Sequence, residues 1–278
     1  MKNSTLTQID TTDTPQDAGR SFVAVLERAF HILDAFTVTD VWLGTTEIAA
    51  RAALPKPTAS RLAKSLALMH YLHYSPRRRK YRLGIGVLSL GYAARAESRI
   101  NETIRPYLQD LADRFGVHAS LVTRDQTDAL HLDVCHSNNT LMTLRLEAGS
   151  RIPLAGTATG HAILAASSNA ERKYLMDFLA NRHHKHWPKI KAAVQDGIEQ
   201  VDRYGYTISQ RGWQTDINGV AAPLSIPGNP VYVLSCGAPA LHLPRKKMDD
   251  IGICLVDASR QIIDRIAAQD TAPSSASG

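Results

Sequence analysis

Lys56, Thr58, Ser60, Arg61 and Lys64 fall in one short stretch, and all are cationic or hydroxylic. A second group follows at Arg77, Arg78, Arg79, Lys80 and Arg82. Guanidinium, ammonium and hydroxyl groups donate to phosphate oxygens, and arginine also reads base edges. These residues suit the gripping of a polyanion rather than turnover. A merely solvated basic face is the plain alternative.

The elements around them favour the first reading. Residues 45–70, TTEIAARAALPKPTASRLAKSLALMH, read as two short helices with a tight break. Thr45 or Thr46 can cap the first, because a threonine oxygen accepts an orphan N–H there. Ile48, Ala49 and Ala52 recur at helical spacing. Leu54-Pro55 stops that helix, and Lys56-Pro57 starts the next, with Pro57 in the first turn. In the second helix Leu62, Leu66 and Met69 form an apolar back. Thr58, Ser60, Arg61, Lys64 and Ser65 form the front. A helix of this kind fits a major groove. Tyr71 to Tyr74 and Tyr81 to Leu83 then flank a Ser-Pro turn, a β-hairpin with its cations at the tip. A hairpin directly after a recognition-type helix is a wing, able to lie along phosphates or enter the minor groove. Thr45, at the start of the unit, is a further candidate contact.

Charge is segregated in the same way. The 278-residue chain has a net charge of +6. Residues 1–19 hold one Lys against three Asp, residues 20–100 hold 13 Lys/Arg against 5 Asp/Glu, and residues 101–278 hold 18 of each. The excess lies wholly in the segment carrying the helix pair, which points to an anionic polymer. No apolar run approaches the ~20 residues of a membrane span, and the polar N-terminus has no signal-peptide core. Cys135, Cys236 and Cys254 are far apart, without a CxxC pair, so neither disulfides nor a zinc ribbon is expected and a bacterial-type reducing cytoplasm fits.

The length allows two domains. Residues 1–19 read as a disordered tail, 20–84 as the basic domain, 85–100 as a linker helix, 101–268 as a second domain and 269–278 as a flexible tail. Ser21 to Phe36 is a supporting helix with a stripe of Val25, Leu26, Ala29, Ile32, Leu33 and Phe36. Asn101 can cap a helix that runs to Phe115 with a face of Ile104, Leu108 and Leu111, and Gly116 ends it. His118 to Thr123, Leu130 to Cys135, Leu141 to Leu146, Thr207 to Gln210, Val220 to Ile226 and Val231 to Cys236 read as strands. Helices are expected over 157–166, 170–181, 188–204 and 244–268. Grouped strands with helices between them imply an α+β domain with a mainly antiparallel sheet.

In that second domain no GxSxG, phosphate-binding glycine loop or HExxH occurs, so no catalytic residue, metal site or cofactor is expected. His183-His184-Lys185-His186 reads as a solvated loop rather than a zinc site. Residues 153–162, PLAGTATGHA, run from a strand end into a helix start through small residues. Exposed N–H groups and the helix dipole make such a place receptive to a carboxylate. Close helix–sheet packing needs small residues equally. Ser235 and Cys236 alternate, so one of the two can line a pocket, and Cys236 reads as structural.

The segments VLERAFHILDAF, TEIAARAALPKPTASRLAKSL, YRLGIGVLSLG, RIPLAGTATGHAILA and GVAAPLSIPGNPVYVLSCGAP, with the closing helix, together resemble the IclR family of bacterial transcriptional regulators, from about Ser21 to Ala268. The resemblance implies an N-terminal winged helix-turn-helix, a linker helix and a C-terminal effector domain of GAF-like fold. It implies homodimers or dimers of dimers on palindromic operators in double-stranded DNA, answering to small organic, including aromatic, acids. Carried over by position, the effector lies against the backbone of Ala158, Thr159 and Gly160. Ser235 and Gly237 match the pocket-facing strand, with Gly237 in place of a second serine, and Ser209 and Gly219 fall nearby. The family's acidic run after its Gly-Tyr turn is replaced here by Ser209-Gln210-Arg211. Arg211 then suggests a more anionic or bulkier ligand, and the glycines at 219 and 237 suggest room for a ring. An enzyme with an appended DNA-binding module and a ligand-free DNA binder are the rival readings.

Overall fold

The computed structural model describes residues 23–37, 40–96, 99–137 and 146–271. The tail expected at 1–19, residues 272–278 of the tail expected at 269–278, and most of the strand expected over 141–146 lie outside the described residues, whereas residues 269–271 continue the closing helix. The chain divides into two units, Met1–Ala94 and Arg95–Gly278.

The first unit holds α1 (Ala24–Asp34), α2 (Thr45–Arg51), α3 (Lys56–Leu68), a hairpin of β1 (Leu72–Ser75) and β2 (Lys80–Leu83), and α4 (Ile85–Ala96), which runs across the boundary. Gly44, not either threonine, is the N-cap of α2. Its N–H donates to the Glu47 carboxylate at 2.7 Å, so the acid three residues on closes the first turn. The helix ends at Arg51, before the proline, because Ala53 takes a left-handed conformation (φ 52°). Pro57 does sit in the first turn of α3. The back of α3 is Ala59, Ala63 and Leu66, with Leu62 only partly buried, whereas Met69 is exposed. Alanines win because α3 lies close to α1 and α2 around Ile32, Ile48 and Leu43. The stripe expected on α1 is divided as well. Ile32 is buried, but Val25 and Leu26 are more than half exposed, as is Phe30 beside them.

The second unit begins with α5 (Arg99–Phe115), so Asn101 lies inside the first turn rather than capping it. Gly116 ends it in the left-handed region (φ 58°). There follow β3 (His118–Asp125), β4 (Asp128–His136), β5 (Arg151–Pro153), α6 (Ala158–Ala166), α7 (Asn169–His183), a one-turn helix at His184–His186, α8 (Trp187–Tyr204), β6 (Thr207–Gln210), β7 (Ile217–Leu224), β8 (Tyr232–Pro239) and α9 (Arg245–Thr271). The strands form one antiparallel sheet in the order β5-β4-β3-β8-β7-β6.

Alternation along the strands builds two cores. Ala119, Leu121, Val220, Leu234 and Cys236 face α5 and α9. Val122, Ala129, Ala221 and Val233 face α6, with α7 and α8 outside it. The helix α6 approaches the sheet very closely. A Cβ on Gly160 would lie 2.0 Å from the Leu154 carbonyl oxygen, and one on Gly197 of α8 would meet the His161 ring at 2.4 Å. The small residues of 153–162 therefore do serve packing, and that packing fixes where the N-terminus of α6 points.

Candidate functional site

Two places bring polar groups together. The first is the front of the winged unit. Arg61 and Lys64 are exposed on α3, with Lys56 at its start and Thr58 and Ser60 half-buried beside them. On the wing, Arg79 occupies a left-handed turn position (φ 53°). Arg77 and Arg79 are exposed, with no partner among the described residues. Arg78 and Arg82 are exposed too, and both guanidinium groups lie over the Trp42 ring, 5.2 and 5.3 Å from its centre. Lys80 differs. Its ammonium is 3.2 Å from Glu47, and the Gly44 N–H and Lys80 together hold the Glu47 carboxyl below its usual range. Thr45 is half-buried in the first turn of α2. Apart from Thr45, the sequence-derived candidates lie on α3, its first turn and the wing.

The second place is a cavity of about 40 Å³ between the N-terminus of α6 and the sheet. Thr157 caps α6, accepting from the Gly160 N–H at 3.0 Å and donating to the Pro153 carbonyl at 2.7 Å. Arg172 and Ser167 satisfy carbonyls at the other end. The first-turn N–H groups of Ala158 and Thr159 have no acceptor within the helix. The Thr159 and Ser235 hydroxyls share a hydrogen bond of 2.8 Å, and the Ser209 hydroxyl donates to the Gly156 carbonyl at 2.6 Å. Ala158, Thr159, Ser209, Gly219, Ser235 and Gly237 all line the cavity. Cys236 turns its thiol into the opposite core, where burial pushes its pKa up.

Two candidates fall elsewhere. Gly160 gives its N–H to the helix cap and its missing side chain to the Leu154 carbonyl. Arg211 is exposed, left-handed (φ 55°), tied by its N–H to Ile217 and Asn218, and outside the lining. A more anionic ligand therefore has no support from Arg211. The room expected at Gly237 is also taken: a Cβ there would lie 2.5 Å from the His118 ring. At Gly219 the space is open to ordinary contact, 3.7 Å or more.

His118, His131 and Trp213 are also in the lining and were not singled out from the sequence. Strand parity could have found the histidines, since His118 and Ser120 share a face, as do Ala129 and His131. His118 Nδ1 and both nitrogens of His131 are buried without a hydrogen-bond partner among the described residues. Burial lowers the pKa of His118 to about 3, helped by His131 and His136, and that of His131 to about 4. Both rings are neutral at pH 7. His161, buried against Gly197, is lowered by burial to about 4. The histidines at 183–186 lie at the α7–α8 turn, those at 184 and 186 exposed.

A winged helix-turn-helix joined to a separate sheet domain with a polar cavity defines the class of DNA-binding regulators. Family models match twice: the IclR helix-turn-helix domain over residues 25–76 and the bacterial transcriptional regulator IclR C-terminal domain over residues 93–264. The chain is 30% identical over 266 residues to the HTH-type transcriptional regulator TsaQ1/TsaQ2 of Comamonas testosteroni, covering 95% of this chain and 94% of that one. It is similar to the crystal structure of an IclR family transcriptional regulator from Brucella abortus, with 36% identity, a TM-score of 0.80 and coverage of 88% and 93%. An IclR homologue from Microbacterium hydrocarbonoxydans, solved with 4-hydroxybenzoate, shares the fold at 21% identity and a TM-score of 0.71, over 88% and 100%. The chain belongs to the IclR family and is a DNA-binding transcriptional regulator.

The buried imidazoles give the second domain a pH dependence. An unfolded chain protonates each ring near its ordinary value of 6.5, the folded one only near 3 or 4. Between these the unfolded state binds more protons, so stability present at pH 7 is lost as pH falls, by about 1.4 kcal/mol per unit per ring. Urea denaturation from pH 7 to pH 5 is expected to show that slope below pH 6.5, reduced in His118→Gln and His161→Gln. A flat profile would contradict it.

Proposed function

We propose that the regulator binds a small organic acid in the cavity at the N-terminus of α6, and that this ligand alters its hold on DNA. The observation that carries the reading is the cavity's polar set. Two N–H groups without an acceptor in the helix at its N-terminus favour a carboxylate, and buried imidazole nitrogens without partners among the described residues are an open hydrogen-bonding demand. The volume of about 40 Å³ holds only a few waters, so a short-chain acid enters with little change. A ring-bearing acid, such as the 4-hydroxybenzoate of the Microbacterium homologue, requires the half-buried Trp213 and its loop to move aside. Control requires differential binding to two arrangements of the protein.

The test is a thermal-shift series with acetate, pyruvate, benzoate and 4-hydroxybenzoate. A ligand at a hundred times its Kd stabilises by about 2.7 kcal/mol, a shift of several degrees. Ser235→Ala and Thr159→Ala are expected to weaken that shift. Failure of every acid to move the melting temperature counts against the reading.

On the DNA side the proposal assigns base and phosphate contacts to Lys56, Thr58, Ser60, Arg61 and Lys64. Arg77, Arg78, Arg79 and Arg82 contact mainly phosphates, and Lys80 joins them by leaving Glu47. A homodimer presents two such units to a palindromic operator in the bacterial cytoplasm. Support comes from the apolar groove of about 620 Å³ lined by Val25, Leu26, Phe30, Leu62, Met69 and Leu90. An exposed patch of this kind marks an interaction surface, and a second copy covers it isologously. Phe30→Asp with Leu26→Asp should halve the mass seen by light scattering. An unchanged mass places the dimer contact elsewhere.

A further inference from the structure

Trp42 is not among the residues that the helix-turn-helix pattern marks, yet it is built into the wing. The backbone on either side of it is fixed. Leu43 donates to the Tyr81 carbonyl at 2.9 Å and accepts from the Tyr81 N–H at 2.8 Å, an isolated antiparallel bridge that fixes the chain beside β2. Leu43 and Tyr81 turn inward and are almost fully buried. Their neighbours Trp42 and Arg82 therefore fall on the outer face. There the indole is half-buried, meets the His73 ring edge-on at 6.2 Å, and carries the guanidinium groups of both Arg78 and Arg82. The Trp42 carbonyl also faces the Lys80 ammonium at 3.5 Å.

We propose that Trp42 is a positioning residue for DNA binding: its ring holds Arg78 and Arg82 in the arrangement in which the wing meets phosphates. The physical reason is ordering. A free arginine has many rotamers and must give them up on binding, whereas one already resting on an aromatic face has lost part of that freedom beforehand. Guanidinium suits this better than ammonium, because it is planar and weakly hydrated and so stacks while its edge N–H groups stay available. Two of the wing cations are ordered in this way. Arg77 and Arg79, in the turn, have no partner among the described residues and stay adaptable. The inference rests on the wing reading proposed above and not on the effector.

The experiment measures binding of the full chain to a fluorescent generic duplex at fixed low salt, in a double-mutant cycle. Trp42→Leu is expected to weaken binding about tenfold, while Trp42→Tyr, which keeps a ring face, stays within about threefold. Arg78→Gln with Arg82→Gln is expected to weaken it further, and adding Trp42→Leu to that pair to cost almost nothing more, since the ring then has nothing to hold. Losses that add independently, or a leucine variant that binds as tightly as the parent or tighter, overturn the positioning role. If the arginine pair itself can be removed without loss, the wing reading falls and the inference with it. Arg78→Lys with Arg82→Lys leaves Trp42 itself and its backbone beside β2 in place and keeps both charges, so it decides the matter even where the leucine variant folds poorly. A loss of roughly fivefold or more supports stacking as the cause, and parental affinity refutes it.

Discussion

Attraction between a small cation-rich domain and the phosphates of duplex DNA is the interaction that the rest of this molecule serves. The excess of 13 Lys/Arg over 5 Asp/Glu within residues 20–100 is not balanced locally, while residues 101–278 carry equal numbers of each sign. Such a domain repels itself slightly and needs a compact core to hold together. The alanine back of α3 packed on Ile32, Ile48 and Leu43 provides it. Not every cation is equally available. Lys80 is engaged by Glu47, Arg78 and Arg82 rest on Trp42, and Arg61, Lys64, Arg77 and Arg79 are exposed to solvent.

The second domain is governed by a different constraint, the close seating of α6 on the sheet. Gly160 leaves no room for a methyl group against Leu154, and Gly197 leaves none against His161. The helix start is thereby brought over the strand positions of Ser235, Gly237 and His118, with caps at both ends to keep it there. Packing and the shape of the cavity are thus consequences of the same small residues. The two readings of residues 153–162 are complementary: Gly160 serves the packing, and Ala158 and Thr159 serve the cavity.

The architecture was legible because its signals are local. A proline at the start of α3, a turn before the wing arginines and a glycine after Phe115 each act within a few residues. What was not legible depends on partners distant in sequence. Glu47 caps Gly44 in place of a threonine, an alternative that the sequence equally allows. Met69 is apolar yet exposed, and Val25 and Phe30 face a groove rather than the domain's own core, because amphipathic spacing does not tell whether a face meets its own chain or another. Likewise Gly237 reads as empty space until His118, on the neighbouring strand, is seen to fill it. Arg211 follows a pocket strand in sequence, but its left-handed backbone carries it out of the lining.

The most direct measurement is the affinity of the full chain for duplex DNA as a function of salt. Each neutralised phosphate contributes a slope of about −0.9 to log K against log salt. A steep negative slope is predicted, becoming shallower by roughly two to three when Arg61, Arg77 and Arg79 are together changed to Gln. Affinity indifferent to salt, or a slope that the three substitutions leave as it was, would contradict the account.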